Sequence, residues 1–395
     1  MMSNTAATAE ISAGKRLHYL DGLRGMAALM VLFCHFRLMF DESFESRSLA
    51  FLNGTLHNKF LADFVQAFLN MLSNGPLAVF IFWFMSGYVI SVPLFSPNGM
   101  KYLPGAFVKR YFRLALPALA SVLVAYCLLL TGAIFNQQFF VPDQSNHWLH
   151  LFYQFHANFF TAIQNGLWDT FFNYNEALSY NASLWTMEQE LYGSFLCFFL
   201  FAIFRTHPKR FIVYGIILGI FFIQNRFPLI TFMGGFILCD LDHANGSKHP
   251  ILLWLEEQVF AKSFYGVLLL CAVVFFAGHK THVDMRDMLS SGAIVIIISR
   301  TNFLKKLLTT PVFKYLGDWS FALYLLHLPV LCSLTCALYN FFGGSHTQKV
   351  LYASSISLVV IVSAAALFTA FVDKPAIRFA NKLAKTFNQI QNEAA

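Results

Sequence analysis

Apolar residues gather along this chain into ten runs, near 17–40, 76–96, 114–135, 184–204, 211–225, 227–241, 263–278, 288–299, 312–340 and 350–372. None alternates with the period of two that marks a half-buried strand, and most reach the roughly 20 residues that a helix needs to cross a bilayer core. The pattern predicts an all-α polytopic integral membrane protein of about ten transmembrane helices, each run a helix long enough to span or nearly so. The fifth, sixth and eighth runs are short, and their ends are the least defined. Three parts follow: a polar segment over 1–16, a transmembrane domain over 17–375, and a tail over 376–395 that reads as a short helix.

Charge gives the runs a direction. Nineteen of the 27 Lys and Arg residues fall in segments 1–16, 97–113, 205–210, 242–262, 300–314 and 373–395, against six in the intervening segments. Basic residues mark cytoplasmic loops, so both termini are expected in the cytoplasm. The polar start and the absence of a small-residue cleavage site after the first run argue against a secretory signal. Loops 41–75 and 136–183 then lie outside. The first carries Asp41, Glu42, Glu45 and Asp63; the second has no Lys or Arg and is rich in aromatic residues, Asn and Gln. Such a surface suits a sugar and equally suits an interfacial aromatic belt.

Composition agrees: 57% of residues are hydrophobic, 12% are charged, and the mean hydropathy is +0.57. Soluble domains carry about twice that share of charge. The net charge of +7 therefore reads as membrane topology, and no nucleic-acid partner is expected. All seven cysteines sit in apolar runs without a zinc-type spacing, so neither a disulfide framework nor a metal is expected. His147, His150 and His156 cluster in the second outer loop, but no Cys or acidic partner has convincing spacing.

The first run, LHYLDGLRGMAALMVLFCHFRLMF, keeps Asp21, Arg24 and His35. Intramembrane ionisable groups are costly and turn toward protein or a wet cavity. Eleven helical steps separate Arg24 from His35, about three turns plus 20°, which puts them on one face roughly 16 Å apart along the axis. Asp21 is three residues before Arg24, close enough for an ion pair. Gly22, Gly25, Ala27 and Ala28 let neighbouring helices approach closely. The spacing alone fits an anchor and a packing histidine as well as it fits a site.

This run resembles the first helix of the membrane acyltransferase-3 family, in which a basic residue is followed, after ten others, by a histidine. Later stretches extend the resemblance over nearly the whole chain. VFIFWFMSGYVIS over 79–91 holds Ser86-Gly87 at the family's Ser-Gly position. Arg110 and Arg113 match an Arg-x-x-Arg in the loop after the second helix, implied to hold the nucleotide of CoA; arginine forks pair with phosphate bidentately. Trp185, Glu190 and Tyr192 match a Trp followed five residues later by Glu, with Glu188 on the other side of the helix. Ser320, Tyr324, His327 and Pro329 match a Ser, Tyr, His, Pro series, and the first three fall on one face that could line an acyl-donor channel. Asp373-Lys374-Pro375 stands where the family usually has Glu-x-Pro. That departure shortens the carboxylate, and Asp373 is given no catalytic role.

The resemblance implies an O-acyltransferase, in most members an acetyltransferase, that moves an acyl group from cytoplasmic acyl-CoA to a hydroxyl of a cell-surface or exported carbohydrate in a bacterial inner membrane. His35 is then the general base, with Arg24 and Glu190 beside the chemistry. Arg110, Arg113, Ser320, Tyr324 and His327 are on the donor side. Acyl-CoA is a substrate, and no tightly bound cofactor is expected. Glu190 is expected near His35, where a carboxylate orients an imidazole and raises its basicity. The rival reading is a transporter or flippase for a glycan or lipid-linked substrate, since intramembrane charges also mark transport pathways. No repeated halves with paired broken helices support it.

Overall fold

The computed structural model describes residues 17–40, 48, 51–52, 54–56, 58–141, 148–243, 249–258, 260, 263–278 and 284–394. Segment 1–16, the acidic residues Asp41, Glu42 and Glu45, and His147 lie outside this set. Among the described residues the chain is all-helical. Its longer helices are α1 His18–Phe40, α2 Lys59–Leu72, α3 Gly75–Ser91, α4 Gly99–Leu130, α5 Trp185–Phe204, α6 Arg210–Ile223, α7 Phe227–His243, α8 Ser263–Ala277, α9 Asp284–Arg300, α10 Pro311–Val330, α11 His346–Phe368 and α12 Lys374–Ala394.

All ten apolar runs are helical. Among the described residues five stretches can cross a membrane by length and composition: α1, α4, Ala182–Phe204, Pro311–Phe341 and His346–Gln389. A sixth, α2 with α3, is bent by 63° at Ser73 and Asn74. Asn74 makes that corner: its side chain accepts from Leu77 N, which caps α3, and donates to Asp287 of α9 at 2.9 Å. The other apolar helices are shorter, so length and composition support a membrane protein with fewer clear spans than the ten expected.

Two differences from the expected boundaries matter for the site. The segment read as a loop before the third span is instead the first part of α4, 32 residues without a break. At the other end, α11 does not stop at Pro375. It continues through a π-helical turn, Thr369–Asp373, into α12. Proline at the second position of α12 costs little there, because the wide π turn before it has already opened the i→i−4 ladder.

Close crossings set the core. Gly22 and Gly25 of α1 and Gly317 of α10 leave no room for a Cβ: each would meet backbone of Leu308, Leu316–Gly317 and Asp21 respectively. Small residues let helix backbones touch in this way. Asp21 stands beside Gly317 and His35 beside His327, so α1 and α10 run parallel. Gly87 of α3 and Gly235 of α7 make a second such crossing. Around these seams one large apolar core runs through α1, α3, α4, α9, α10 and α11, and a smaller phenylalanine-rich cluster joins α3, α5 and α7.

Candidate active site

A cavity opens where α1, α3, α4, α5 and α10 meet. Its polar lining is Arg24, Ser86, Arg110, Arg113, Thr186, Glu190, Ser320 and Tyr324, and its apolar walls include Phe82, Trp83, Leu114 and Phe321. The volume is about 130 Å³, close to that of an engineered protein cavity of roughly 150 Å³ that admits benzene. A small charged group or a short acyl chain fits; a nucleotide does not.

The arginines are inside, not on a cytoplasmic loop. α4 begins at Gly99, so Arg110 and Arg113 ride about 16–21 Å along it before they turn inward. Arg110 makes a short ion pair with Glu190 and donates through Nε to Ser194 Oγ at 2.7 Å. Glu190 also accepts from Ser86 Oγ at 2.5 Å. Arg113 grips Asp373 with both terminal nitrogens, at 2.5 and 3.3 Å, and its guanidinium lies 5.1 Å from the centre of the Phe321 ring. Asp373, set aside at the sequence level, therefore holds one of the site's arginines. Its carboxylate reaches there because the π turn before α12 rotates it toward α4.

Arg24 differs from its two neighbours. Among the described residues it makes no hydrogen bond and no ion pair, although it lines the cavity. The anticipated partner, Asp21, faces His18 at 3.7 Å. With Glu190 and Asp373 matched to Arg110 and Arg113, the third arginine leaves the cluster one positive charge in excess. A low-dielectric cavity with an unmatched guanidinium is suited to an anion.

One face of α10 leads from this cavity to His35. Ser320 and Tyr324 line the cavity, and His327, one turn on, puts Nε2 3.2 Å from His35 Nδ1. Tyr324 is held by Thr186 Oγ1 at 2.8 Å and by the Ser183 carbonyl at 2.7 Å. Pro329 contributes further along. It has no N–H for the Leu325 carbonyl, and Asn181 Nδ2 bonds that oxygen instead at 2.7 Å. The start of α5 is thereby tied to α10. On its outer side His35 meets Trp148, with ring centres 5.4 Å apart. The Trp148 indole nitrogen is buried and finds no acceptor among the described residues.

The sequence-level sites thus fall into two connected groups. Arg24, Arg110, Arg113, Glu190, Ser320 and Tyr324 share the cavity; His35 and His327 form a pair beyond it. The expected neighbour of His35, Glu190, is not there. Arg110, Ser86 and the cavity occupy that carboxylate, and the imidazole partner comes from α10. Glu188 is half-buried and outside the lining, as its helical phase requires. Tyr192 is exposed and also outside it. Asp373 and Trp148 were not foreseen. Asp373 could have been found as the acid at the family's Glu position; nothing in the sequence ties Trp148 to His35.

Comparison with known proteins settles the class. The family described as "Acyltransferase domain", acyltransferase family 3, matches residues 17–372. The chain belongs to the acyltransferase-3 family. It is similar to "O-acetyltransferase PaAT-1" of Phomopsis amygdali, at 25% identity over 91% of this chain and 82% of the relative. An acyltransferase of a Phoma species is 22% identical over 92% of this chain and 95% of its own length. "Acyltransferase clz18" of Cochliobolus lunatus is 22% identical over 90% and 93%. No solved structure gives a significant match. The protein is accordingly an acyltransferase, and the transporter reading falls away. These relatives are fungal, so they lend nothing to a bacterial inner membrane.

Proposed function

We propose that this acyltransferase takes an acyl group, acetyl in the simplest case, from acyl-CoA and transfers it to a hydroxyl on the far side of the membrane. The observation that carries the reading is the unmatched Arg24 in an arginine-lined cavity, joined by the Ser320–Tyr324–His327 face to His35. Arg24 and His35 are separated by about 16 Å along α1, a distance on the scale of an extended pantetheine arm. An anionic phosphate group of the donor sits at the arginines, with Arg24 free to accept it and Arg110 and Arg113 held in place by Glu190 and Asp373. The nucleotide stays outside the cavity. The arm follows α10 and delivers the thioester to His35.

His35 serves as general base. The acceptor hydroxyl loses its proton to His35, its oxygen attacks the thioester carbonyl, the C–S bond breaks, and the thiolate takes the proton back as CoA thiol. Proton transfer of this kind contributes typically 10²–10⁴-fold. The proposed acceptor is a carbohydrate. Support for that comes from segment 148–184, which holds no Lys or Arg, brings Trp148 over His35 and exposes Phe160.

The test is donor kinetics on purified protein, comparing acetyl-CoA with acetyl-pantetheine, which lacks the nucleotide and its phosphates. Wild type should prefer the full donor strongly. Arg24→Ala should lose most of that preference, because a charge-assisted hydrogen bond is worth about ten- to a hundredfold in affinity. Unaltered discrimination in Arg24→Ala removes the anion site from the account. Mass spectrometry of glycans from cells with and without the gene tests the acceptor.

A further inference from the structure

The hydrogen bonds of the histidine pair fix where its protons sit. His327 Nδ1 lies 2.7 Å from the Tyr324 carbonyl oxygen and 3.2 Å from that of Leu323. Carbonyl oxygens only accept, so Nδ1 carries a proton and the Nε2 of a neutral ring is bare. That bare nitrogen is 3.2 Å from His35 Nδ1, which is also 2.9 Å from the Val31 carbonyl. His35 Nδ1 is therefore protonated, its hydrogen shared between two acceptors. The opposite arrangement, with His327 protonated on both nitrogens, would set a bare His35 Nδ1 against the Val31 oxygen, lone pair to lone pair. Nε2 is then the lone-pair nitrogen of His35. It makes no hydrogen bond among the described residues and is not one of the buried unpartnered atoms, so it stands at accessible surface.

Building on the acyltransferase reading above, we propose that His327 is the positioning residue for His35. It accepts the hydrogen bond of the His35 Nδ1 proton, fixes the ring with Nε2 toward the acceptor hydroxyl, and stabilises the imidazolium formed during transfer. Proton count balances without a relay: the hydroxyl proton moves to His35 Nε2, the ring is cationic with Nδ1–H still bonded to His327, and the same Nε2 proton leaves with the CoA thiolate. His327 ends as it began. In many hydrolases a carboxylate does this. Here the buried carboxylate of the cavity, Glu190, is engaged by Arg110 and Ser86, and a neutral imidazole supplies the acceptor with no further buried charge. The imidazole is itself immobilised, being fully buried on α10 with its other nitrogen bonded to backbone. The family resemblance puts His327 on the donor side; its contact is with the base.

Two readouts test this on the full-length protein in nanodiscs. The first is ¹⁵N NMR of histidine-labelled wild type, with the His35 signals assigned as those lost in His35→Gln. A protonated Nδ1, an unprotonated Nε2 and a nitrogen–nitrogen coupling from His35 Nδ1 to His327 Nε2 are expected. A proton on His35 Nε2 in the resting protein overturns the assignment. The second is CoA release from acetyl-CoA by His327→Leu and His327→Gln, with thermal melting to confirm that both fold. Gln offers an amide oxygen where Nε2 was; Leu offers no acceptor. His327→Leu should lower kcat about ten- to a hundredfold, the worth of a hydrogen bond to a charged group, with KM for acetyl-CoA little changed. His327→Gln should recover most of the loss. Equal loss in both variants, wild-type kcat in His327→Leu, or a loss confined to KM overturns the positioning role. If wild type turns over no acetyl-CoA, the donor reading fails and takes the catalytic half of the proposal with it, while the NMR result still decides the hydrogen bond.

Discussion

Arg110 of α4 and Glu190 of α5, 80 positions apart in the chain, form a buried ion pair in the wall of the cavity that also holds Arg24. The pair gives neighbouring arginines different jobs. Arg110 is committed to a carboxylate and to Ser194, so its removal strands a charge. Arg24 has no such tie, so its removal strands nothing.

Stability should separate the two. Arg110→Ala leaves the Glu190 carboxylate with Ser86 as its remaining hydrogen-bond partner, and breaking one side of a buried pair costs about 3–5 kcal/mol. The double variant Arg110→Ala/Glu190→Ala should recover part of that loss. Arg24→Ala should melt close to wild type and lose donor binding. Thermal unfolding of the four proteins in one detergent checks this; an Arg24→Ala protein as unstable as Arg110→Ala would make Arg24 a structural residue.

Arg113 and Asp373 join α4 to the π turn before α12 through a forked contact. Asp373→Asn keeps the shape and removes the charge. It should destabilise the protein by an amount on the order of 1.5–3 kcal/mol, the range for hydrogen bonds to charged groups. Arg113→Lys should be only partly tolerated, because an ammonium cannot reproduce the fork. Melting temperatures equal to wild type for both would show that the π turn holds itself.

Asn181 should prove more important to the fold than an outer-loop asparagine usually is. It bonds the Leu325 carbonyl freed by Pro329 and also reaches Ser121 and Ser183. Asn181→Ala buries an unsatisfied carbonyl, at a cost of about 1–3 kcal/mol. Pro329→Ala in that background restores an N–H for Leu325 and should return some stability. If the second substitution only adds to the damage, the two residues are not coupled in this way.

Sidedness can be read directly. With the seven native cysteines replaced, a cysteine at exposed Lys101 should label only from the cytoplasmic side, and one at exposed Leu178 only from outside. Labelling of both from one side contradicts the charge-based topology.

The sequence made much of this legible because helical phase is a local property. Arg24 with His35, and Ser320 with Tyr324 and His327, could be placed on common faces by counting residues, and the structure keeps both faces. Glu190 rather than Glu188 turned inward for the same reason. Partner choice was not legible. It depends on which helices cross, and α1 meets α10 through Gly25 and Gly317, which brings His327 and not Glu190 to His35. Arg110 and Arg113 likewise share one helical face by count, but counting could not show that α4 extends unbroken from Gly99 and carries that face into the cavity. The π turn at Thr369–Asp373 hid Asp373 in a similar way: it breaks the 3.6-residue phase on which such counting relies.

The most direct test of the central claim is transfer from labelled acetyl-CoA by purified wild type and His35→Ala, both shown to be folded by their melting curves. Wild type should release CoA and pass label to an acceptor, and His35→Ala should lose at least about a hundredfold in turnover, the lower range for general acid–base catalysis. Turnover in His35→Ala equal to wild type would contradict the account.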